Sequence, residues 1–477
     1  MRAALVARTL ALATAIASHA MAAPPVGWRM DGTGAFPLAD PPLEWSPTTN
    51  VAWQTRMPSW SNSSPVVVRD RLLVSSEPDT LVCLRKSDGA VLWQRANPVA
   101  EAVADPAPRP SMLDAVTATA KTQALLSEKE RELTTLRQTL RRTPDDAAAS
   151  GHASALEPEI ETLRHQLASL AIHSPPGESE SVGLSTPTPT TDGDVAFVAF
   201  GTGVVASYDL DGKRRWIRFV DAPLMDNGAA SSPVLVDGSL IIQFNDLIAL
   251  DPATGALRWR TSVPYRPGTP VALHVGGEAV LVTPSGHCIR AADGKALASG
   301  IGNLDFASPV ALDGVLYMIA QPSQAFRIPT QFAEPLVFEP LWTARVKGER
   351  YYASPLVAGG LIYAVTRGQI LNVLDATSGE QVFATRLKLG WTGAADSVFS
   401  SPTLGGKHVF ISGFSGMTAV IPLGRAFAQV ASNELEKFRS SPIFEDDRIY
   451  LRGSERLWCL RRSSRAGSDA REPGAPP

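Results

Sequence analysis

A phrase of roughly 40 to 47 residues recurs along this chain, and repeats of that period specify arrays of small sheets rather than one layered core. The phrase is clearest from Ser231-Ser232-Pro233 through an apolar strand, an Asp-Gly turn and a second β-rich stretch to Ala249-Leu250-Asp251, Gly255 and Trp259. Each unit holds four short strands, which is one propeller blade. Anchors of the same kind stand at Ser64-Pro65, Thr186-Pro187, Ser232-Pro233, Thr269-Pro270, Ser308-Pro309, Ser354-Pro355, Ser401-Pro402 and Ser441-Pro442, so the spacing predicts eight blades. The last unit ends at Trp458-Cys459-Leu460 without a Gly-to-Trp strand, and Val51-Ala52-Trp53-Gln54 precedes the first anchor without a unit of its own. The N-terminal strand is therefore expected to complete blade eight and close the ring, so that no blade is left unpaired at an end of the array.

The pattern Ala249-x-Asp251-x-x-Thr254-Gly255-x-x-x-Trp259 resembles the tryptophan-docking repeat of the pyrroloquinoline quinone (PQQ) propeller superfamily. Weaker copies run from Cys83 through Gly89 to Trp93, from Ser207-x-Asp209 to Trp216, and from Val373-x-Asp375 to Gly379. The resemblance covers nearly all of residues 45–460 apart from one insertion, and it implies an all-β, eight-bladed propeller. It implies less about activity, because the superfamily includes quinoprotein dehydrogenases, outer-membrane assembly lipoproteins and binding proteins on one scaffold. Read from the residues alone, the indoles of Trp53, Trp93, Trp216, Trp259 and Trp342 dock between blades, while the Asp and Gly shape the turn before the outer strand. The pattern decays at Ala298 in blade four and Phe383 in blade six, and blade seven has no clear equivalent.

The chain of 477 residues has a formal net charge of −3 and no basic run in either half, so a nucleic-acid partner is not expected. Residues 1–22 read as a secretory signal: Arg2 and Arg8 supply the charged start, Thr9 to Ala17 the apolar stretch, and Ala20-Met21-Ala22 the cleavage site. No Cys follows that site, which argues against a lipoprotein anchor, and no later segment is apolar over the ~18 residues a membrane span needs. The expectation is an exported protein, periplasmic or secreted, in a bacterial envelope. Its divisions are 23–104 for the closing strand and blade one, 105–180 for an insertion, 181–462 for blades two to eight, and 463–477 for a disordered tail. Cys83, Cys288 and Cys459 share one position in the repeat, the third-strand site of Ala249, and are expected to be core thiols without a disulfide.

From about Ser111 to Ile172 the strand pattern gives way to Ala, Leu, Glu, Gln and Arg, a helical composition. Leu126, Leu133 and Leu140 recur at seven with Leu136 between them, and Ile160, Leu163, Leu167 and Leu170 alternate by three and four after a break at Thr143-Pro144-Asp145-Asp146. This predicts an antiparallel coiled-coil hairpin, flanked by Pro-rich segments, that projects from the ring and either decorates it or serves as a docking or dimerising arm.

Propellers bind ligands at the mouth of the central channel, where loops enter the innermost strands. Here those loops carry Trp60 and Asn62; Asp226 and Asn227; Asn303 and Asp305; Arg350, Tyr351 and Tyr352; Asp396 and Phe399; and Lys437 and Arg439. The competing reading is that polar loop residues simply fix turns. A PQQ dehydrogenase, by the resemblance, would carry a vicinal Cys-Cys pair, a Trp under the quinone, and Glu, Asn and Asp ligands to calcium beside a catalytic Asp. This chain has no such Cys pair, and no residue aligns to the calcium set. Gly-Phe-Ser-Gly around Ser415 is not a nucleophile elbow, Gly201-Thr202-Gly203 precedes no phosphate-binding helix, and the seven histidines show no zinc-protease spacing. The leading expectation is a non-catalytic exported scaffold without cofactor or metal, contacting an envelope protein through a propeller face or the hairpin, with the channel mouth open to a small-molecule ligand. The alternative is an atypical PQQ- and calcium-dependent oxidoreductase, in which some of Asp226, Asn227, Asp305 and Asp396 hold calcium and Arg350 or Lys437 steadies a quinone carboxylate.

Overall fold

A computed structural model describes residues 25–103, 112–171, 182–221, 229–346, 350–390 and 397–463. Eight sheets stand around a central channel, six of them built wholly from four sequential antiparallel strands that run from the channel outward. Blade one is Val66–Val68, Arg71–Ser76, Thr80–Arg85 and Val91–Ala96. Blades two to six repeat that order from Thr190 to Arg386. Blade eight has only three strands of its own, Ile443–Glu445, Arg448–Arg452 and Arg456–Arg461, and its outer strand is Val51–Arg56 from the N-terminal part of the chain, as the repeat count predicts. Residues 1–22, expected to be a secretory signal, and the tail beyond residue 463 lie outside the described residues.

The repeat motif works across blade boundaries. The indole N–H of Trp259 donates to the Ala291 carbonyl of the next blade at 2.8 Å, and Trp53, Trp93, Trp216 and Trp342 donate to Lys86, Leu210, Pro252 and Ala376 in the same way. Each ring lies flat on the glycine of the next blade's turn: a Cβ added at Gly89, Gly212, Gly255, Gly294 or Gly379 would fall 2.4–2.7 Å from the indole. The turn itself is held by its Asp; Asp251 Oδ1 accepts from the Ala253 and Thr254 amides at 3.0 Å, and its carbonyl accepts from Gly255 N. Directly across the ladder from the Trp sits the small third-strand residue, Cys83 opposite Trp93, Ala249 opposite Trp259 and Cys459 opposite Trp53. Cys288 holds the same position opposite Ala298. All three cysteines are free and fully buried. Beside this pair the register slips by one residue in seven blades, a bulge that tilts the outer strand toward its neighbour.

Blade seven, which lacks both the Trp and the bulge, is repaired from elsewhere. Residues 37–50 pass along it, and Trp45 packs between blades seven and eight, stacked on Phe410 with centroids 6.0 Å apart. Its backbone N–H donates to Asn433 Oδ1 of the blade-seven outer strand.

The insertion forms a single turn α1 (Val99–Ala102) and two helices, α2 (Met112–Arg142) and α3 (Ala147–Ala171). The helices pack antiparallel on Leu126, Leu133, Leu156, Ile160, Leu163 and Leu167, with Leu136 and Leu140 at the rim. Asp146 caps α3 through Ala149 N at 2.9 Å.

Candidate functional site: the anchor-end mouth of the channel

The channel is lined by the innermost strands, and their first residues form a closed hydrogen-bonded ring. The backbone N–H of each anchor donates to the hydroxyl of the next: Ser64 to Thr188, Thr188 to Ser232, Ser232 to Thr269, Thr269 to Ser308, Ser308 to Ser354, Ser354 to Ser401, Ser401 to Ser441, and Ser441 back to Ser64, all at 2.9–3.1 Å. All eight residues are buried. The following Pro has no N–H to compete and holds the anchor extended. The ring corrects one register reading: the blade-two anchor is Thr188-Pro189 rather than Thr186-Pro187, whose hydroxyl instead takes a hydrogen from Asn62 Nδ2 at 3.3 Å. Two overlapping Thr-Pro pairs made the two registers alike in sequence.

The far end of the channel is closed by the chain itself. Val26 pairs with Thr191 of blade two, a turn between Gly27 and Met30 reverses the backbone, and Ala35–Phe36 then adds a parallel strand inside blade seven. From that turn Arg29 reaches the ring and donates to the carbonyls of Pro355 and Pro402 at 2.8 and 2.7 Å. It is wholly buried, and that burial lowers its guanidinium to about 9. A cavity of about 220 Å³ remains between this plug and the inner strands of blades three to five.

The anchor end is where the loops converge, and the structure sorts the sequence candidates there. Tyr352, Phe399, Lys437 and Arg439 come together. The rings of Tyr352 and Phe399 stack in parallel 5.1 Å apart, Phe306 meets Tyr352 edge-on at 4.7 Å, and Phe414 meets Phe399 edge-on at 6.2 Å. Arg439 lays its guanidinium 4.0 Å from the Phe399 centroid and 4.7 Å from Phe414, with Lys437 Nζ 5.9 Å from Phe414. Burial lowers the Arg439 guanidinium to about 10, so it stays charged at neutral pH. Among the described residues no carboxylate pairs with Arg439, Lys437 or Arg350. Glu436, beside Lys437, is taken up by the Trp458 indole N–H and the Arg456 and Glu455 amides.

The other candidates have different roles. Asn62 donates to the Val182 carbonyl at 2.6 Å, and the Trp60 ring lies against Gly183, where a Cβ would approach it to 2.6 Å; both tie blade one to blade two. Tyr351 is buried, receives a hydrogen bond from Asn372 Nδ2 at 3.3 Å, and has its phenol pushed up to about 12 by burial. Asn303, Asp305 and Arg350 are exposed on the rim. Asp226, Asn227 and Asp396 lie outside the described residues. The sequence reading missed Phe306 and Phe414. Phe306 stands two residues before its anchor, as Tyr352, Phe399 and Arg439 do, so alignment on the anchors contains it; Phe414 sits in a turn between second and third strands, with no such register.

The opposite side of the same end is occupied by the hairpin, which corrects the expectation that it projects. Arg164 of α3 bridges Glu130 of α2 at 2.8 Å and Asp246 of blade three at 3.0 Å, and Arg260 joins Asp246 at 3.4 Å and Asp221 at 2.9 Å. Arg141 near the tip adds to the burial that lowers His287 of blade four. Buried charges draw the arm down onto the ring, which heptad spacing cannot convey. Of the four candidates for calcium, only Asp305 lies among the described residues; it is exposed, and no cluster of three or more His, Cys, Asp or Glu side chains among the described residues could hold a metal.

The family described as outer membrane protein assembly factor BamB matches residues 44–223 and 161–325. The crystal structure of BamB from Moraxella catarrhalis superposes with a TM-score of 0.53 at 10% identity, covering 86% of this chain and 96% of that one. A quinohemoprotein alcohol dehydrogenase from Comamonas testosteroni superposes with a TM-score of 0.47 at 10% identity over 89% of this chain and 79% of that one. No curated protein matches in sequence. At such identity the BamB likeness concerns the fold alone.

Proposed function

We propose that this chain, which belongs to the family described as outer membrane protein assembly factor BamB, is a non-catalytic exported scaffold that holds a partner protein against the anchor end of its propeller. The reading rests on one arrangement: a channel closed at its far end by Arg29 and residues 25–36, with two contact surfaces at the open end. One is the helical arm over blades three and four, and the other is the row of rings and cations on blades five to eight. No helix among the described residues is long and apolar enough to cross a membrane. Replacing residues 111–172 by a short linker is expected to leave the propeller folded, because loop closure costs change slowly with length, and to remove the partner captured by crosslinking in an envelope extract. Recovery of the same partners without the arm would show that the arm has no such role.

A second reading has one observation in its favour. Stacked rings beside cations that pair with no carboxylate among the described residues suit a planar, multiply carboxylated ligand such as PQQ, with Arg350 or Lys437 near its carboxylates. The described residues do not supply a calcium set to accompany it. Titration of the purified protein with PQQ, with and without calcium and followed by tryptophan fluorescence, is expected to give no saturable change; calcium-dependent saturation would favour the oxidoreductase.

A further inference from the structure

Resting on the scaffold reading, we propose that the mouth between blades five and eight takes an acidic, extended peptide segment of the partner, its carboxylates on Arg439 and Lys437 and its apolar side chains on the rings of Tyr352, Phe399 and Phe414. Arg439 is the anchor of this argument. Both of its nearest ring contacts engage the guanidinium through the aromatic system, and it makes no hydrogen bond or ion pair to any described residue. A guanidinium in that state keeps its N–H edges for a carboxylate, and partial burial strengthens the attraction. Lys437 is exposed on the same loop, Arg350 is exposed two loops away before the blade-six anchor, and the nearest carboxylate in sequence, Glu436, is already engaged.

The shape fits an extended chain. From Phe306 through Tyr352 and Phe399 to Phe414 the centroid steps are 4.7, 5.1 and 6.2 Å, so the row spans at most the length of about five residues at ~3.3 Å each. Alternate side chains of such a segment face the rings while those between face the rim. The plug at the far end keeps the segment from threading the channel, so it must lie across the mouth. Single-stranded nucleic acid also stacks on aromatic rings, but it needs a cationic groove that follows the phosphates, and three cations on a chain of net charge −3 do not make one.

The test uses the full chain and a fluorescein-labelled decapeptide alternating Glu with Phe and Leu, against its Gln-for-Glu counterpart, by fluorescence anisotropy. The acidic peptide is expected to bind at least about tenfold more tightly than the Gln peptide, with Arg439→Gln and Phe399→Ala each weakening it about tenfold and Arg327→Gln, at the far end of the third strand of blade five, leaving it unchanged. Should Arg439→Gln fail to fold by circular dichroism, Lys437→Gln, at an exposed side chain, is expected to weaken binding at least threefold. Equal binding of the two peptides, insensitivity to Lys437→Gln and Arg439→Gln, or tighter binding of a dodecathymidylate strand would overturn the proposal. If the peptide fails to bind while crosslinked partner capture persists, the ligand class falls and the scaffold reading stands.

Discussion

Gly255 and Gly238 separate two costs that a glycine can hide. Both have left-handed backbone, φ +71° and +69°, but a Cβ at Gly255 would fall 2.7 Å from the Trp216 ring, whereas one at Gly238 meets nothing. Gly238→Ala is therefore expected to cost about 1–2 kcal/mol from backbone strain alone, and Gly255→Ala about 2–4 kcal/mol because the indole must also shift. Urea unfolding midpoints of the two variants check this, and equal losses would mean that the indole's seat has slack. Arg29 poses the opposite case, a buried cation whose guanidinium is held by two carbonyls. Arg29→Met fills similar volume but leaves the Pro355 and Pro402 oxygens without their donors, and is expected to lower stability by about 2–4 kcal/mol in the same assay.

At the scale of elements, the arm is held down by few contacts of high value. Its seam of Leu126, Leu133, Leu156, Ile160, Leu163 and Leu167 joins α2 to α3, while Arg164 joins the pair to blade three. Removing one member of a buried charge network costs more than the network's net worth, because it strands the others. Arg164→Ala should therefore undock the arm without unfolding the blades: hydrogen exchange is expected to speed up across residues 112–171 while amides in the blade-three strands keep their protection. Uniform loss of protection would instead make the arm part of the propeller's cooperative unit.

For the whole molecule the decisive feature is closure. Eight anchor hydrogen bonds run one way around the ring, and Val51–Arg56 joins the last blade to the start of the chain by pairing with Arg456–Arg461. Breaking one link by Ser441→Ala removes a single acceptor hydroxyl and should cost about 1 kcal/mol. Removing residues 25–56 takes away the plug, Trp45 and the closing strand together. Such a chain is expected to unfold over a broader and lower temperature range by calorimetry, as open repeat arrays lose cooperativity between neighbours. A sharp transition at the original temperature would show that the strand adds nothing to closure.

The blade count, the closing strand, the docking tryptophans, the cysteine positions and the two-helix insertion were determined by the sequence itself, because each is a local pattern repeated at fixed spacing. Trp259, Gly255 and Asp251 announce their roles wherever the phrase recurs. Tertiary structure alone decided the rest. The register of Thr188, the crossing of Arg29 to blades six and seven, the supply of Trp45 to blade seven and the seat of Arg164 on Asp246 all join residues from different repeats or from outside them. The aromatic and cationic row is the same kind of fact. Tyr352, Phe399 and Arg439 stand out along the chain only as separate loop candidates and Phe306 does not stand out at all, and the four become one surface only because a closed ring turns equal positions in successive blades toward a common axis.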